Sequence, residues 1–392
     1  VKSAQAVLRL KRGRDRARTH PWIFKSEVAD VSDVEPGATV TVIDSAGKFV
    51  GRGHFNPRPA LCCRILTWTD EPLDSAFYER RVAEAVALRA RGAGGPPALA
   101  RLVWSEADGL PGLIVDRYGP VLVVQCLTLA MARARPMVVS ALTRVLGPLP
   151  VFSKDEDAPA RFEGFAPAHG WAGPPGPATV EVEEDGVRFA VIIGAGHKTG
   201  LYLDQRENRL RVGSLARGRD VLDAFAYSGG FACHALRGGA RRAVLIESSP
   251  EALAAARQNL ELNHVAERAE IVAANVFDEL RRLERAGARF GVVVLDPPPF
   301  ARSRTQLEAA VRGYKEINLR AMRLLERGGW LLTFSCSHHV SQARFEELCR
   351  DAAADAGTRL RVSAPLSQAS DHPVVLTIPE THYLKGLLLE AV

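Results

Sequence analysis

A cysteine, two aspartates and a glycine-ended turn recur at the close of apolar runs in the second half of this chain. The stretches are Val221–Gly230, Leu295–Phe300 and Phe334–Ser337, and each ends in turn residues, small residues or a carboxylate. In an open α/β sheet, ligands sit just outside the carboxyl ends of the strands. Cys336 stands out because it ends such a run amid Ser335, Ser337, His338 and His339, whereas Cys126, Cys233 and Cys349 read as inert packing. If the strands before Asp296 and Cys336 are neighbours, the two side chains stand roughly 5 Å apart by strand spacing. A flat pyrimidine could then meet the thiolate at C6 while Asp296 faces N3. Thiolate addition turns C5, a poor nucleophile, into an enamine carbon that attacks a sulfonium methyl group. A protonated or proton-sharing Asp296 would stabilise the charge at N3.

The turn after Asp223 lacks the G-x-G-x-x-G of a dinucleotide site, since its glycines come only at the end. Glu247 closes the next apolar run, 24 residues after Asp223. An acid there can hold both hydroxyls of a ribose. With no pyrophosphate to cradle, fewer glycines are needed, which favours S-adenosylmethionine over NAD. Gly196-His197-Lys198-Thr199 fails as a phosphate loop because His197 separates Gly196 from Lys198. Asp296-Pro297-Pro298-Pro299-Phe300 fixes a stiff backbone where a planar base must be held. Amino-group methyltransferases place the aromatic residue directly after the second proline, so Pro299 argues against that class.

The elements that position these groups alternate. Strands are expected at 221–226, 243–247, 270–274, 292–296 and 330–336, with helices at 229–237, 250–262, 305–326 and 341–356. That is an α/β doubly wound sheet. Arg359–Ala364 and Tyr383–Glu390 read as a hairpin-like edge. Earlier, short strands over residues 1 to about 70 suggest a small β-barrel. A helix at 74–92, strands near 102–104, 113–116 and 121–126, and a helix at 132–146 read as a compact α+β module. Residues 152–176 read as a connector. Eight basic residues and one acid lie between Lys2 and Lys25, within a chain of 392 residues carrying +6 net charge. Arg12, Arg14, Arg16 and Arg18, ahead of Trp22 and Phe24, are what a phosphate-tracking, base-stacking surface needs, although solvated basic loops are common. Six cysteines without a C-x-x-C pair suit neither a zinc site nor a disulfide framework, so no metal is expected. No apolar stretch reaches 18 residues, and a cytoplasmic protein is expected.

The motifs Gly196–Arg206, Phe225–Phe231, Asp296–Phe300, Arg312–Asn318, Thr333–Ser337 and Asp371–Pro373 together resemble those of the bacterial ribosomal RNA large-subunit cytosine-5 methyltransferases of the RlmI/RlmO type. The resemblance runs along essentially the whole chain. It implies a PUA-like RNA-binding β-barrel over 1–72, a central α+β domain and linker over 73–186, and a class I S-adenosylmethionine-dependent methyltransferase domain over 187–392. It implies Cys336 as nucleophile with Asp296 as its partner. The cofactor set it points to is Gln205, Arg206, Asp223, Phe225, Tyr227, Ser228, Gly229, Glu247, Ser248, Asn275, Val276, Asp278, Asp296 and Pro297. The RNA-binding set is Arg12, Arg14, Arg16, Arg18, Lys198, Arg312, Tyr314 and Lys315. Asn275 stands where the family usually has an acid, and its carbonyl oxygen can still accept from an adenine amino group. The partner expected is naked or partly assembled 23S rRNA, with a homodimer as a second expectation. Two rivals are carried: a class I enzyme acting on another base atom, and an RNA-binding assembly protein without catalysis.

Overall fold

The computed structural model describes residues 6–13, 19–91, 94–195, 200–301 and 304–392. Packing gathers the chain into two units: residues 1–180, 191–200 and 371–381 in one, and 181–190, 201–370 and 382–392 in the other.

The first unit opens with β1 (Val7–Leu10), β2 (Trp22–Phe24), β3 (Val28–Val31), β4 (Thr39–Ile43), β5 (Phe49–Phe55) and β6 (Leu61–Thr67). They form one sheet in the order β2-β6-β5-β4-β1-β3. Alternation along Thr39–Ile43 turns Val40 and Val42 inward, where Leu8, Leu10, Ile23 and Ile65 meet them. Gly53 is required at its place, because a Cβ there would lie 2.3 Å from the Arg64 carbonyl oxygen. Trp22 and Phe24 are half-buried. They belong to β2, and the Trp22 indole donates to Glu106 at 2.8 Å.

Next come α1 (Ser75–Arg89), β7 (Leu99–Trp104), β8 (Leu113–Tyr118), β9 (Val121–Cys126), α2 (Leu129–Leu146), β10 (Val151–Lys154), α3 (Asp157–Glu163) and β11 (His169–Trp171). Asp74 caps α1 by accepting from the amides of Ala76 and Phe77. The sheet order is β11-β10-β9-β8-β7. The supposed connector at 152–176 therefore carries structure. β10 lies parallel to β9, and its four residues are all buried, so it presents no alternation to read. β12 (Thr179–Glu184) and β13 (Val187–Ile192) then form a hairpin.

The second unit runs α4 (Arg206–Leu215), β14 (Asp220–Ala224), α5 (Gly230–Arg237), β15 (Arg242–Glu247), α6 (Pro250–Leu262), β16 (Ala269–Ala273), α7 (Val276–Arg285), β17 (Phe290–Leu295), α8 (Leu307–Arg323), β18 (Leu325–Ser335), α9 (Gln342–Ala356), β19 (Leu360–Ser367) and β20 (Lys385–Ala391). The sheet order is β16-β15-β14-β17-β18-β20-β19. Strands β14 to β18 are parallel, and β20 enters antiparallel between β18 and β19. This is the doubly wound sheet the alternation predicts, with the expected antiparallel edge. α4 and α7 are additional to the expected helices. α7 was legible, because Asn275 caps it and Val276, Leu280 and Leu283 repeat at helical spacing.

Candidate active site

β14 and β17 are neighbours, as are β17 and β18, so the carboxyl ends of three strands open on one edge. Every residue of β17 is buried, which is why this run reads as continuous apolar sequence. The turn after β14 is tight. Phe225 and Tyr227 take φ of +65° and +47°, and Gly229 takes +74°. Left-handed non-glycine residues cost on the order of 1 to 3 kcal/mol each and persist only where the surroundings hold them. Here the hold is visible. Asp223 is fully buried and accepts from the Ala232 amide of α5 at 3.0 Å. Glu247 Oε2 accepts from the Tyr227 amide at 3.0 Å. Gly229 is close to Leu245 and Ala256, where a Cβ would sit 3.2 and 3.3 Å from their side chains.

Glu247 Oε1 also accepts from the Ser248 and Ser249 amides at 2.7 and 2.9 Å. The carboxylate is thus oriented by backbone, and its oxygens keep further lone pairs for a ligand. Asp223 differs. Burial, with the charges of Asp296 and Glu247 adding to it, pushes its pKa up to about 7 against the Ala232 hydrogen bond. Among the described residues its Oδ1 has no partner, and neither has Nε2 of buried Gln205, whose Oε1 accepts from Asn208 at 2.6 Å.

Past β17 and β18, the Cys336 thiol lies 3.7 Å from the carbonyl oxygen of Pro297. Cys336 is half-buried, while the other five cysteines are buried. Burial pushes Cys126 and Cys233 up to about 12, which makes them inert at neutral pH. Pro297 is buried, and Pro298 and Pro299 are exposed. Phe300 turns back into an aromatic cluster, 4.6 Å from Tyr314 and 6.2 Å from Phe225 between ring centroids. That cluster anchors the Phe300 end of the proline turn.

Two groups the sequence reading did not single out border the same edge. The Tyr202 ring meets Tyr227 edge-on at 4.9 Å, and burial, then Tyr227, Asp296, Asp204 and Cys336, raise its hydroxyl pKa. Lys385 opens β20, is buried, and donates to the Ser337 carbonyl at 2.8 Å. Its signal in the sequence was a lone charge leading an apolar run. Beneath them, buried Arg209 donates to both oxygens of Glu184 at 2.7 and 2.6 Å and to the Tyr202 carbonyl at 2.8 Å. Burial opposes ionisation of Glu184, yet Arg209, with His234 at 3.0 Å, holds its pKa down to about 2.

The remaining expected residues fall as follows. Arg206 starts α4, Ser228 is buried and its carbonyl accepts from Asn259, and Ser248 is exposed. Asn275 uses its side-chain oxygen to cap α7 at Phe277, Val276 is buried, and Asp278 is exposed beside Arg281. Of the RNA-binding set, Arg12 and Arg312 are exposed, and Lys315 pairs with Asp355 at 2.7 Å. Tyr314 is a correction. It is fully buried on the inner face of α8 with its hydroxyl 3.0 Å from Ser337 Oγ, so it supports the cysteine loop and cannot stack on RNA. Arg14, Arg16, Arg18 and Lys198, with the rest of 196–199, lie outside the described residues. Among the described residues no helix is long and apolar enough to cross a membrane.

A family of S-adenosylmethionine-dependent methyltransferases matches residues 164–374, and a PUA-like domain family matches residues 7–68. A ribosomal RNA large subunit methyltransferase I of Salmonella arizonae is 40% identical over 386 residues, covering 96% of this chain and 95% of the relative. The protein of the same name from Alteromonas mediterranea is 38% identical over 394 residues, covering 99% of both. Among solved structures, a SAM-dependent methyltransferase from Streptococcus mutans superposes with TM-score 0.83 at 18% identity, covering 98% of this chain and all of that one. A further methyltransferase fold, solved in complex with SAH, gives TM-score 0.86 at 18% identity, with coverage of 98% and 99%. These two show the shared fold. The chain belongs to the ribosomal RNA large subunit methyltransferase I family, an S-adenosylmethionine-dependent methyltransferase preceded by a PUA-like domain.

Proposed function

We propose that the chain methylates C5 of a cytosine in 23S ribosomal RNA, with Cys336 as covalent nucleophile and Asp296 as its partner. The RNA substrate is supported by the activity named in relatives that align over nearly the whole chain. The mechanism is carried by one observation: the half-buried thiol of Cys336 lies 3.7 Å from the carbonyl of Pro297, the residue after Asp296.

The residues present fit the cofactor. Gln205 Nε2 is a buried donor and Asp223 Oδ1 a buried acceptor, each without a partner among the described residues. Glu247 is pre-oriented for a ribose, and the Phe225–Gly229 turn is held in a strained form that a bound ligand can exploit. Gln205, Arg206, Asp223, Phe225, Tyr227, Ser228, Gly229, Glu247, Ser248, Asn275, Val276, Asp278, Asp296 and Pro297 would surround it. S-adenosylmethionine, when bound, supplies an electrophilic methyl group.

Cys336 does the activating work. Its sulfur bonds to C6, and the electrons of the C5–C6 double bond make C5 nucleophilic. Asp296, sharing a proton at N3, takes up the charge that develops on the ring. Once C5 carries its new methyl group, loss of the C5 proton to a base re-forms the double bond and expels the cysteine as thiolate. The PUA-like domain and exposed Arg12 would contact phosphates, giving salt-dependent binding. A cytosine within a stem must be flipped out first, which favours naked or partly assembled rRNA.

Cys336→Ala is expected to abolish turnover and the covalent complex with 5-fluorocytosine RNA while calorimetry still detects S-adenosylmethionine binding. A fully active variant would end the C5 reading. Bisulfite mapping of rRNA from a deletion strain identifies the nucleotide.

A further inference from the structure

Each parallel strand of the methyltransferase sheet, and β19 with them, has an arginine at or beside its start. The lead-in segments 216–220, 237–242, 266–270, 285–290, 324–329 and 357–361 hold eleven arginines, no lysine and four acids. Register joins the strands at this end, pairing Asp220 with Arg242, Phe290 with Leu325 and Leu360 with Ala391. In the order β16-β15-β14-β17-β18-β20-β19 the arginines therefore follow one edge of the sheet, a row roughly 29 Å long by strand spacing. It is the edge away from Asp296 and Cys336, which follow the carboxyl ends of β17 and β18.

Part of the row lines a cleft of about 710 Å³, built from the ends of α8 and α9 and the start of β18. Arg289, Arg323, Arg327 and Arg359 line it with Glu284 and Glu326. Glu284 is already engaged, accepting from Arg320 at 2.5 Å and from Arg323 at 2.8 Å. Cations are favoured at helix C-termini, and Arg323 serves that end by donating to the Asp355 carbonyl of α9 at 2.9 Å. The other three do not. Arg289, Arg327 and Arg359 are exposed, Arg289 donates to the adjacent Ala288 carbonyl, and none of them has a carboxylate partner among the described residues. The loop carrying Arg327 is nevertheless fixed, since Arg219 donates to the Gly291 and Gly328 carbonyls at 3.4 and 2.7 Å.

We propose that this arginine row is a second contact surface for ribosomal RNA, gripping backbone phosphates on the side of the domain opposite the reaction edge, an inference that rests on RNA being the substrate. Strands of five or six residues separate the two edges by roughly 17 to 20 Å, so the row does not touch the target base. Phosphate contacts position a protein on its RNA without reading bases. A molecule the size of 23S rRNA can reach both edges at once, which a short stem cannot. An acidic protein would meet the same charge, but successive phosphates offer a line of guanidinium acceptors that matches a row of arginines.

The test is binding of naked, transcribed 23S rRNA by the full chain, measured by filter retention over a series of salt concentrations. Arg289→Gln/Arg327→Gln/Arg359→Gln removes three charges without stranding a carboxylate. A control, Arg80→Gln/Arg144→Gln/Arg344→Gln, removes three charges that are paired with Glu71, Glu79 and Glu347. Calorimetry with S-adenosylmethionine checks that each variant is folded. The cleft variant is expected to bind at least about five-fold more weakly at physiological salt, and to lower the slope of log K against log salt by roughly 2 to 3, while the control changes it by less than about 1. If the cleft variant does not fold, Arg327→Gln decides, with an expected slope change of about 1. A cleft variant that binds like the control overturns the proposal, because net charge alone then accounts for the loss. Loss confined to assembled large subunits, with naked rRNA bound as by wild type, assigns the row to a protein partner and overturns it too. Wild-type protein that retains no rRNA defeats the RNA substrate instead, so the two failures are distinct.

Discussion

The Cys336 thiol and the Pro297 carbonyl oxygen stand 3.7 Å apart, joining the loops that leave two adjacent parallel strands. Leu295 pairs with Thr333, so the β18 side continues one residue further than the β17 side before the contact is made. The proline turn limits how far the sulfur can retreat from the edge. Ser337, just beyond, is fully buried and is tied to Tyr314 and to Lys385. The cysteine is thus presented by a loop anchored on both sides.

That anchoring predicts a specific defect for Tyr314→Phe. The variant keeps the ring packing against Phe300 and removes only the hydroxyl at Ser337. The hydroxyl also faces the Ser335 side chain and the Phe300 backbone, and losing its buried hydrogen bonding is expected to cost at least about 1 kcal/mol of stability. Turnover should fall several-fold with S-adenosylmethionine affinity unchanged. Urea titration and single-turnover kinetics measure the two effects, and a loss of cofactor affinity would contradict this division of roles.

Glu247→Ala should act on the opposite end of the cleft. The carboxylate holds the amides of Tyr227, Ser248 and Ser249, and is proposed to hold the ribose. Removing it frees a strained turn as well as a ligand contact. Charge-assisted hydrogen bonds contribute about 1.5 to 3 kcal/mol each, so S-adenosylmethionine binding is expected to weaken by ten-fold or more. Calorimetry reads this directly, and unchanged affinity would remove Glu247 from the cofactor set.

The strand ends were legible in the sequence because each catalytic candidate closes an apolar run, and burial of a parallel strand on both faces produces such runs. Asp223, Glu247, Asp296 and Cys336 were all placed this way. What escaped depended on pairings distant in sequence. Lys385 meets Ser335 only because β20 enters antiparallel beside β18, a register that neither segment announces. Tyr314 was placed with the RNA-binding residues, but the face α8 turns inward is chosen by packing against Phe300 and Phe345. β10 and β11 hid in proline- and glycine-rich sequence, since β10 is short and wholly buried.

Asp223→Asn tests the electrostatics of the turn through pH. The folded pKa is raised from 3.8 to about 7, mainly by burial, so the folded state holds a proton that the unfolded chain gives up. The stability associated with this group is complete below about pH 4 and is lost as pH rises to about 7. Asparagine can still accept from Ala232 and does not ionise. The variant should therefore gain stability relative to wild type at pH 8, on the order of 1 to 4 kcal/mol, and the gain should vanish near pH 4. Thermal unfolding of both proteins across that range is the measurement. A difference independent of pH would mean Asp223 ionises normally.

Arg209→Met strands Glu184. Both are buried, and the guanidinium also holds the Tyr202 carbonyl. Removing one member of a buried pair leaves an uncompensated charge and costs about 3 to 5 kcal/mol. Because the folded pKa of Glu184 is depressed to about 2, the wild-type contribution is present above about pH 4.5 and lost as pH falls towards 2. The penalty of the variant should accordingly shrink in acid. Denaturant titrations at pH 7 and pH 3.5 give the comparison, and equal penalties would show that the pair carries no net stability.

Gly386→Ala tests how closely the strand beside Cys336 must approach its neighbour. A Cβ at this position would lie 2.5 Å from Phe334 Cδ1, 2.8 Å from its Cε1 and 2.9 Å from Leu366 Cβ. Phe334 is fully buried, stacks at 6.0 Å on Phe231 of α5, and lies two residues before Cys336. The ring cannot yield without disturbing that stack, and Leu366 blocks the other side. Overpacking of this kind costs about 1 to 3 kcal/mol. A shift of Phe334 also carries the cysteine loop with it, so turnover should fall by more than the stability loss alone would cause at a temperature where the variant is fully folded. Denaturant unfolding and methyl transfer at 20 °C below the variant's melting point separate the two. Wild-type turnover in a folded Gly386→Ala protein would show that Phe334 moves independently of Cys336.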